Sequence, residues 1–95
     1  MKNVLLLGAT GSIGESVLSV ISQNKESLNL FGISLNKNIL KSQEILKEYS
    51  PDYVYIEDYD SFKSQASEDS ERYLNGEEDL EKLINKEEID IIVCA

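Results

Sequence analysis

The residues with the clearest potential for chemistry are three glycines near the start of the chain, Gly8, Gly11 and Gly14, in the run Gly-Ala-Thr-Gly-Ser-Ile-Gly. They follow the short apolar run of residues 3–7 and precede a segment with helical spacing of apolar side chains. At the start of a helix the free backbone N–H groups point along the axis and attract anions. The pattern therefore predicts a phosphate-binding loop, which we call the glycine loop (residues 8–14).

Each glycine of the loop has its own expected role. Gly8 permits the sharp turn out of the strand, Gly11 lets the backbone approach a pyrophosphate, and Gly14 lets the helix pack closely. A glycine triplet alone occurs in many turns, and this one differs by one residue from the commonest GxGxxG spacing. Its position between a buried-type strand and an amphipathic helix favours a dinucleotide site. The predicted pyrophosphate ligands are the backbone and hydroxyl groups of Thr10, Gly11, Ser12 and Ile13.

The end of the second predicted strand indicates which dinucleotide binds. Sites for NAD usually place an acid there to hold the ribose 2′-hydroxyl. This sequence has Asn36-Lys37-Asn38 instead, and no carboxylate between Glu26 and Glu44. An ammonium group flanked by amides suits a 2′-phosphate. We therefore predict NADP(H), with Lys37 as the phosphate partner and the two asparagines donating beside it; a solvated loop lysine and a helix N-cap at Asn38 are the alternatives.

The elements that must position these residues alternate along the chain. Apolar runs predict strands over residues 3–7, 28–35, 53–56 and 89–94, with residues 73–74 as a short edge strand. Helical spacing predicts helices over residues 12–24, 38–49 and 77–86. This order predicts an α/β fold, a Rossmann-like doubly wound parallel sheet with helices on both faces. The last strand is expected beside the first, which creates a ligand-binding switch point at their carboxyl ends.

The spacing also predicts which side chains face the core. Those of the first helix are Ile13, Val17, Val20 and Ile21, with Leu18 beside them; those of the second are Ile39, Ile45, Leu46 and Tyr49; those of the last are Leu80, Leu83 and Ile84. Cys94 ends a buried-type strand, so we expect a small core side chain rather than a nucleophile. The polar segment of residues 57–72 is predicted to hold a short helix anchored by Phe62 and Ala66.

Composition excludes several classes of function. The 95 residues make one small domain with no apolar run long enough to span a bilayer. A single cysteine rules out an internal disulfide and a cysteine-cluster metal site, and it suits a reducing cytoplasm. The chain has no histidine, so the commonest general base is absent.

Charge is distributed unevenly along the sequence. The part up to Lys47 has five lysines and three glutamates, whereas the part from Glu48 has fifteen acids and four basic residues. Such an acidic chain is a poor candidate for binding nucleic acid. The mildly positive part carries the glycine loop, and the acids of the second part are expected to form a solvated surface rather than a metal site.

Several segments in the same order resemble the N-terminal part of 1-deoxy-D-xylulose 5-phosphate reductoisomerases. They are residues 7–14 with 17–21, residues 31–38 (Phe-Gly-Ile-Ser-Leu-Asn-Lys-Asn), residues 50–54, the Gly-Glu-Glu of residues 76–78, and the closing run of residues 90–95. Asn36 stands where the family usually has glycine. Asparagine tolerates a left-handed backbone better than other non-glycine residues, so the turn is expected to be kept.

The resemblance implies a cytoplasmic homodimer that converts a sugar phosphate, 1-deoxy-D-xylulose 5-phosphate, to 2-C-methyl-D-erythritol 4-phosphate. It implies NADPH and a divalent metal, Mg or Mn, as cofactors. The family's metal and substrate residues lie in segments that would follow Ala95, so we assign no catalytic or metal-binding residue here. Residues 1–95 are thus expected to be a truncated NADP(H)-binding domain, without the catalytic and C-terminal domains and without turnover of its own.

Two other readings share the glycine pattern. The chain could be the NADP-binding domain of an extended short-chain or semialdehyde dehydrogenase, which would need a Tyr-x-x-x-Lys pair or a catalytic cysteine further on. It could also be a non-catalytic module that senses NADP(H). The sequence after Ala95 would distinguish the three.

Overall fold

A computed structural model describes residues 1–9, 11–35, 39–56, 73–74 and 76–95. Within them the strands are β1 (Lys2–Leu7), β2 (Leu28–Leu35), β3 (Tyr53–Ile56), β4 (Tyr73–Leu74) and β5 (Ile91–Cys94). The helices are α1 (Ser12–Gln23), α2 (Ile39–Tyr49) and α3 (Glu77–Ile84). Every predicted element in these ranges is present, with boundaries that differ by two residues at most. The helix predicted around Phe62 and Ala66 lies outside the described residues.

The strands form one sheet in the order β4-β3-β2-β1-β5, and all neighbouring pairs are parallel. The sheet grows in one direction from β1 to β4, and then the chain returns to place β5 on the other side of β1. This confirms the doubly wound α/β fold and the switch point between the first and last strands.

Helices cover both faces of the sheet. Val4 and Leu6 of β1 share a buried cluster with Leu18 of α1 and Ile45 of α2. Leu5 points to the opposite face because neighbouring residues of a strand alternate. On that face a Cβ built at Gly32 would lie 2.8 Å from Leu5 Cδ1 and 3.4 Å from a methyl carbon of Leu83 in α3.

Helix α1 confirms part of its predicted inward face, since Leu18 and Ile21 belong to the core cluster and Val17 packs against it. Its buried residues are Gly14, Leu18 and Ile21. Ile13 and Val20, predicted to face the core, are 60% and 53% exposed. The prediction was wrong for Ile13 and Val20 because it did not count Gly14, which has no side chain, as part of the buried face. Gly14 lies against the backbone of Gly8 and Ala9. The buried face of α1 therefore includes Gly14, and the neighbouring Ile13 is exposed.

Helix α2 follows its prediction more closely. Ile45 is buried, and Leu46 and Tyr49 pack against the core cluster. The Tyr49 hydroxyl donates to the Leu18 carbonyl at 3.0 Å, which joins α2 to α1. The buried Ser42 was not predicted. The side chain of Ile39 lies outside the part that the structure describes.

Helix α3 contacts the sheet mainly through Leu83, which is fully buried. Leu80 is half-buried, as its inward prediction requires. Ile84 is 38% exposed, so its inward prediction was wrong. One residue is about 100° of helix rotation, which carries the side chain after Leu83 towards solvent.

Strand β5 is less covered than predicted. Cys94 is exposed, so its prediction as a core side chain was wrong. Ile91 and Ile92 are 39% and 43% exposed. The cause is position, because β5 lies at the edge of the described sheet and pairs only with β1 there. None of the described helices is long and apolar enough to cross a membrane.

A polar network at the amino end of the sheet holds β5 in register with β1. The Asn3 N–H donates to the Asp90 carboxylate at 2.8 Å, and the Asn3 side chain donates to the Glu88 carbonyl at 3.0 Å. Asn29 of β2 donates to the Asn3 side-chain oxygen at 3.1 Å. By fixing where β5 starts, these bonds also determine where it ends, beside the glycine loop.

Candidate cofactor-binding site

The glycine loop begins where β1 ends, between its two neighbouring strands. Gly8 has φ of +87°, a conformation that side chains disfavour. A Cβ added there would lie 2.9 Å from the carbonyl oxygen of Ala95, directly after β5. Ala95 in turn donates its N–H to the Leu7 carbonyl at 2.8 Å. The sharp turn requires glycine, as the sequence predicted for this position, and the nearby Ala95 backbone requires it as well.

On the other side of the loop, Ser34 of β2 accepts two hydrogen bonds. The Gly8 N–H donates to its side-chain Oγ at 2.7 Å, and the Ala9 N–H donates to its carbonyl at 3.0 Å. One residue near the end of β2 therefore holds the first two amides of the loop.

Gly14 brings helix α1 against the loop backbone. A Cβ at this position would lie 2.5 Å from the Ala9 carbonyl oxygen and 2.6 Å from that of Gly8. No side chain fits at such distances. The close packing expected of Gly14 is confirmed, although the contact is with the carbonyls of the loop rather than with the sheet.

The N-terminus of α1 opens to solvent. Its N-cap is Gly11, which has no side chain that could cap the helix. The backbone of Gly11 is in an ordinary extended conformation, with φ of −84° and ψ of 176°. A Cβ at Gly11 would meet nothing within 4 Å. Gly11, Ser12 and Ile13 are all exposed. The N–H groups of a first helical turn have no partner within the helix, so this end can accept an anion such as a pyrophosphate.

Charge near this helix start is partly balanced. Glu15 lies in the first turn of α1 and forms an ion pair with Lys41 in the first turn of α2. The pair connects the two helices near the carboxyl end of the sheet. Because Lys41 offsets the Glu15 carboxylate, the acid weakens the positive potential of the α1 N-terminus less than an unpaired carboxylate would.

The predicted ligands divide into two groups. Gly11, Ser12 and Ile13 lie together at the exposed start of α1. Ile13 is therefore not a core residue, but its exposed backbone N–H is accessible to a ligand. Four others lie outside the described residues, and their roles stay predictions: Thr10, Asn36, Lys37 and Asn38. The last three follow β2 directly in sequence, two residues or more after Ser34.

Sequence reasoning missed Ser34. Its position near the end of β2 was read only as part of a strand, because a serine in a strand carries no pattern of its own. The contact with Gly8 joins positions 26 residues apart, and only the sheet register brings them together. Among the described residues, no group of three or more His, Cys, Asp or Glu side chains could hold a metal ion.

Comparison with known proteins identifies the family. The sequence profile of 1-deoxy-D-xylulose 5-phosphate reductoisomerase matches residues 4–95. The chain belongs to this reductoisomerase family. A reductoisomerase from Clostridium perfringens is 40% identical over 100 aligned positions, which cover all of this chain and 26% of that protein. One from Ruthia magnifica is 34% identical over 97 positions.

Solved reductoisomerase structures share the fold. One, in complex with NADPH, fosmidomycin and magnesium, superposes with a TM-score of 0.82 over 97% of this chain at 24% identity. Another, the Zymomonas mobilis reductoisomerase in complex with NADPH, has a TM-score of 0.66 over 79% of this chain at 27% identity. The chain spans about a quarter of the length of these relatives, 26% of the Clostridium perfringens protein and 21% of the Zymomonas mobilis chain.

Proposed function

We propose that residues 1–95 form the NADP(H)-binding domain of a 1-deoxy-D-xylulose 5-phosphate reductoisomerase. The observation that carries the proposal is the open N-terminus of α1, which begins at Gly11 within the glycine loop and lies at the switch point of the sheet. Family membership over residues 4–95 supports this reading over the dehydrogenase and sensor alternatives. The NADPH named in the Zymomonas mobilis complex supports the choice of cofactor.

Two groups of residues would hold the cofactor. The first turn of α1 and the loop before it would bind the pyrophosphate, through Thr10, Gly11, Ser12 and Ile13. The turn after β2 would bind the 2′-phosphate, with Lys37 as its cation and Asn36 and Asn38 as donors. When bound, NADPH supplies the hydride for the reduction. The residues of this chain would bind and orient it by backbone N–H groups that need no rearrangement.

For the whole protein we propose the activity of its family. It would isomerise 1-deoxy-D-xylulose 5-phosphate and reduce the product to 2-C-methyl-D-erythritol 4-phosphate, as a cytoplasmic homodimer that uses Mg or Mn. As the family resemblance implies, the metal ligands would belong to segments that follow Ala95. The single cysteine agrees with a reducing compartment.

Lys37→Ala tests the choice of cofactor. Removing a charged hydrogen-bond donor from the 2′-phosphate should weaken NADPH binding by about 1–3 kcal/mol. NADH has no 2′-phosphate, so its dissociation constant should barely change. Both constants can be measured by calorimetric titration of the chain and its variant.

Lys25→Ala is the matched control for this experiment. It removes the same charge from the exposed turn between α1 and β2, at the opposite end of the sheet. We expect neither affinity to change. Equal losses of NADPH and NADH affinity in Lys37→Ala would contradict the role of Lys37, and failure of the unaltered chain to bind either cofactor would contradict the proposed function.

A further inference from the structure

We infer that Ser34 is a positioning residue for the pyrophosphate site, and that its hydroxyl group sets the conformation of the glycine loop. The inference rests on the proposed function, since it concerns how the same loop is held ready for the cofactor. Ser34 itself lies one strand away from the start of α1 and acts through the backbone of Gly8 and Ala9.

The hydrogen bonds at Ser34 explain why a hydroxyl is needed. The Ser34 carbonyl accepts from the Ala9 N–H at 3.0 Å, as a strand carbonyl in a parallel sheet commonly does. Gly8 precedes Ala9, and its φ of +87° turns the chain out of β1. The Gly8 N–H donates to the Ser34 side-chain oxygen rather than to a strand carbonyl, at 2.7 Å and in a partly buried position. An apolar side chain of the same size would remove that acceptor, and a buried N–H without a partner is unfavourable.

The loop passes this constraint to the start of α1. The carbonyl oxygens of Gly8 and Ala9 lie so close to Gly14 that a Cβ there would be 2.6 and 2.5 Å from them. The Gly8–Ala9 peptide packs its oxygen against Gly14 and donates its N–H to the Ser34 carbonyl. It follows directly on the Leu7–Gly8 peptide, whose N–H is held by the Ser34 hydroxyl. Rotation of the Leu7–Gly8 peptide would displace the Gly8–Ala9 peptide and, through its contact with Gly14, the N–H groups that are proposed to meet the pyrophosphate. Such sites tolerate displacements of only about 0.5 Å.

The effect should not distinguish between cofactors. NADPH and NADH have the same pyrophosphate, so a less ordered loop should weaken both by the same factor. This separates the role of Ser34 from that of Lys37, whose loss should affect NADPH alone.

The test compares Ser34→Val with Ser34→Thr. Valine and threonine have the same shape and both suit a strand, but only threonine keeps the hydroxyl. Ser34→Val should weaken NADPH and NADH binding equally, by about five- to tenfold, the loss expected from one hydrogen bond. Ser34→Thr should restore both affinities to within about twofold of the original chain. Thermal unfolding of both variants, followed by circular dichroism, would establish that they are folded.

Amide hydrogen exchange measured by NMR gives a second readout that needs no cofactor. In Ser34→Val the Gly8 amide should exchange about tenfold faster than in Ser34→Thr, in line with the loss of one hydrogen bond. The Asn3 amide, held at the other end of β1, should exchange equally in the two variants.

The two readouts also separate the inference from the proposed function. Equal affinities in the valine and threonine variants, or equal exchange at Gly8, would overturn the positioning role. If the original chain bound neither cofactor while Gly8 exchange responded as expected, the proposed function would fail and Ser34 would be only a structural support of the loop. Should Ser34→Val not fold, Ser34→Ala removes the hydroxyl without adding volume, and the same outcomes apply to it.

Discussion

Helices α1 and α3 both begin after a glycine but differ in the charge of their first three residues. Both have a glycine N-cap, Gly11 and Gly76, and a Cβ at either glycine would meet nothing within 4 Å. The first turn of α3 carries Glu77, Glu78 and Asp79, which neutralise the positive end of the helix dipole. The first three residues of α1 are uncharged, so its positive end remains available to an external anion.

The third helical position also differs. In α1 it is Gly14, which is buried against the Gly8 and Ala9 carbonyls. In α3 it is Asp79, which is half-buried. Helix α1 is therefore fixed to the loop before it, whereas α3 has room for a side chain. A glycine N-cap alone therefore does not distinguish the two helix starts; the absence of acids at the first three positions of α1 and the close contact at Gly14 do.

The largest effect is expected from Gly14→Ala, which removes the close contact at the start of α1. The new Cβ would collide with backbone oxygens that no change of rotamer can move. The free energy of unfolding should fall by about 3 kcal/mol, at the upper end for overpacking. Denaturant unfolding would measure it, with Ser19→Ala at an exposed position of α1 as the control expected to be neutral or slightly stabilising. A Gly14→Ala chain as stable as the original would contradict the proposed rigidity.

Serine substitutions at the two N-caps should produce opposite effects. Gly11→Ser places a favoured N-cap residue in an ordinary conformation, so stability should be kept, but its side chain should obstruct the pyrophosphate. We expect NADPH affinity to fall about tenfold, in keeping with the glycine's role in close approach. Gly76→Ser meets φ of +86° and should lower the free energy of unfolding by about 1–2 kcal/mol.

Each serine variant is the control of the other in calorimetric and unfolding experiments. Gly76→Ser should leave the NADPH dissociation constant unchanged, since α3 is not proposed to contact the cofactor. If Gly76→Ser weakened NADPH binding as much as Gly11→Ser, the distinction between the two helix starts would be wrong.

The smallest effect is expected from Ser12→Glu, which places an acid at the first position of α1, as Glu77 does in α3. The carboxylate should stabilise the helix by about 0.3–1 kcal/mol through the dipole. It should also repel the pyrophosphate and weaken NADPH binding several-fold, less so at high salt. Ser19→Glu adds the same charge near the middle of α1 and should leave the affinity unchanged. Equal affinities of the two variants at low salt would show that the α1 N-terminus does not meet an anion.

The order and type of the elements could be predicted from local patterns. Apolar runs and helical spacing placed β1, α1, β2, α2 and β3 within one residue of their observed ends. The glycine spacing identified the loop, because Gly8 is needed for the turn out of β1 and Gly14 for the close contact of α1 with the loop. The role of Gly11 in the approach of a pyrophosphate stays a prediction. What failed were the orientations: Ile13, Val20 and Ile84 are apolar residues whose exposure depends on how each helix lies on the sheet.

By itself the sequence determined the fold class, the glycine loop and the absence of an acid after the second strand, because those depend on residue types at short separations. Only the tertiary structure decided that Ser34 holds Gly8, that Ala95 lies against the same glycine, and that Cys94 is exposed. These contacts depend on strand order and register. A parallel sheet sets them across many residues, through backbone hydrogen bonds that leave no local pattern in the sequence.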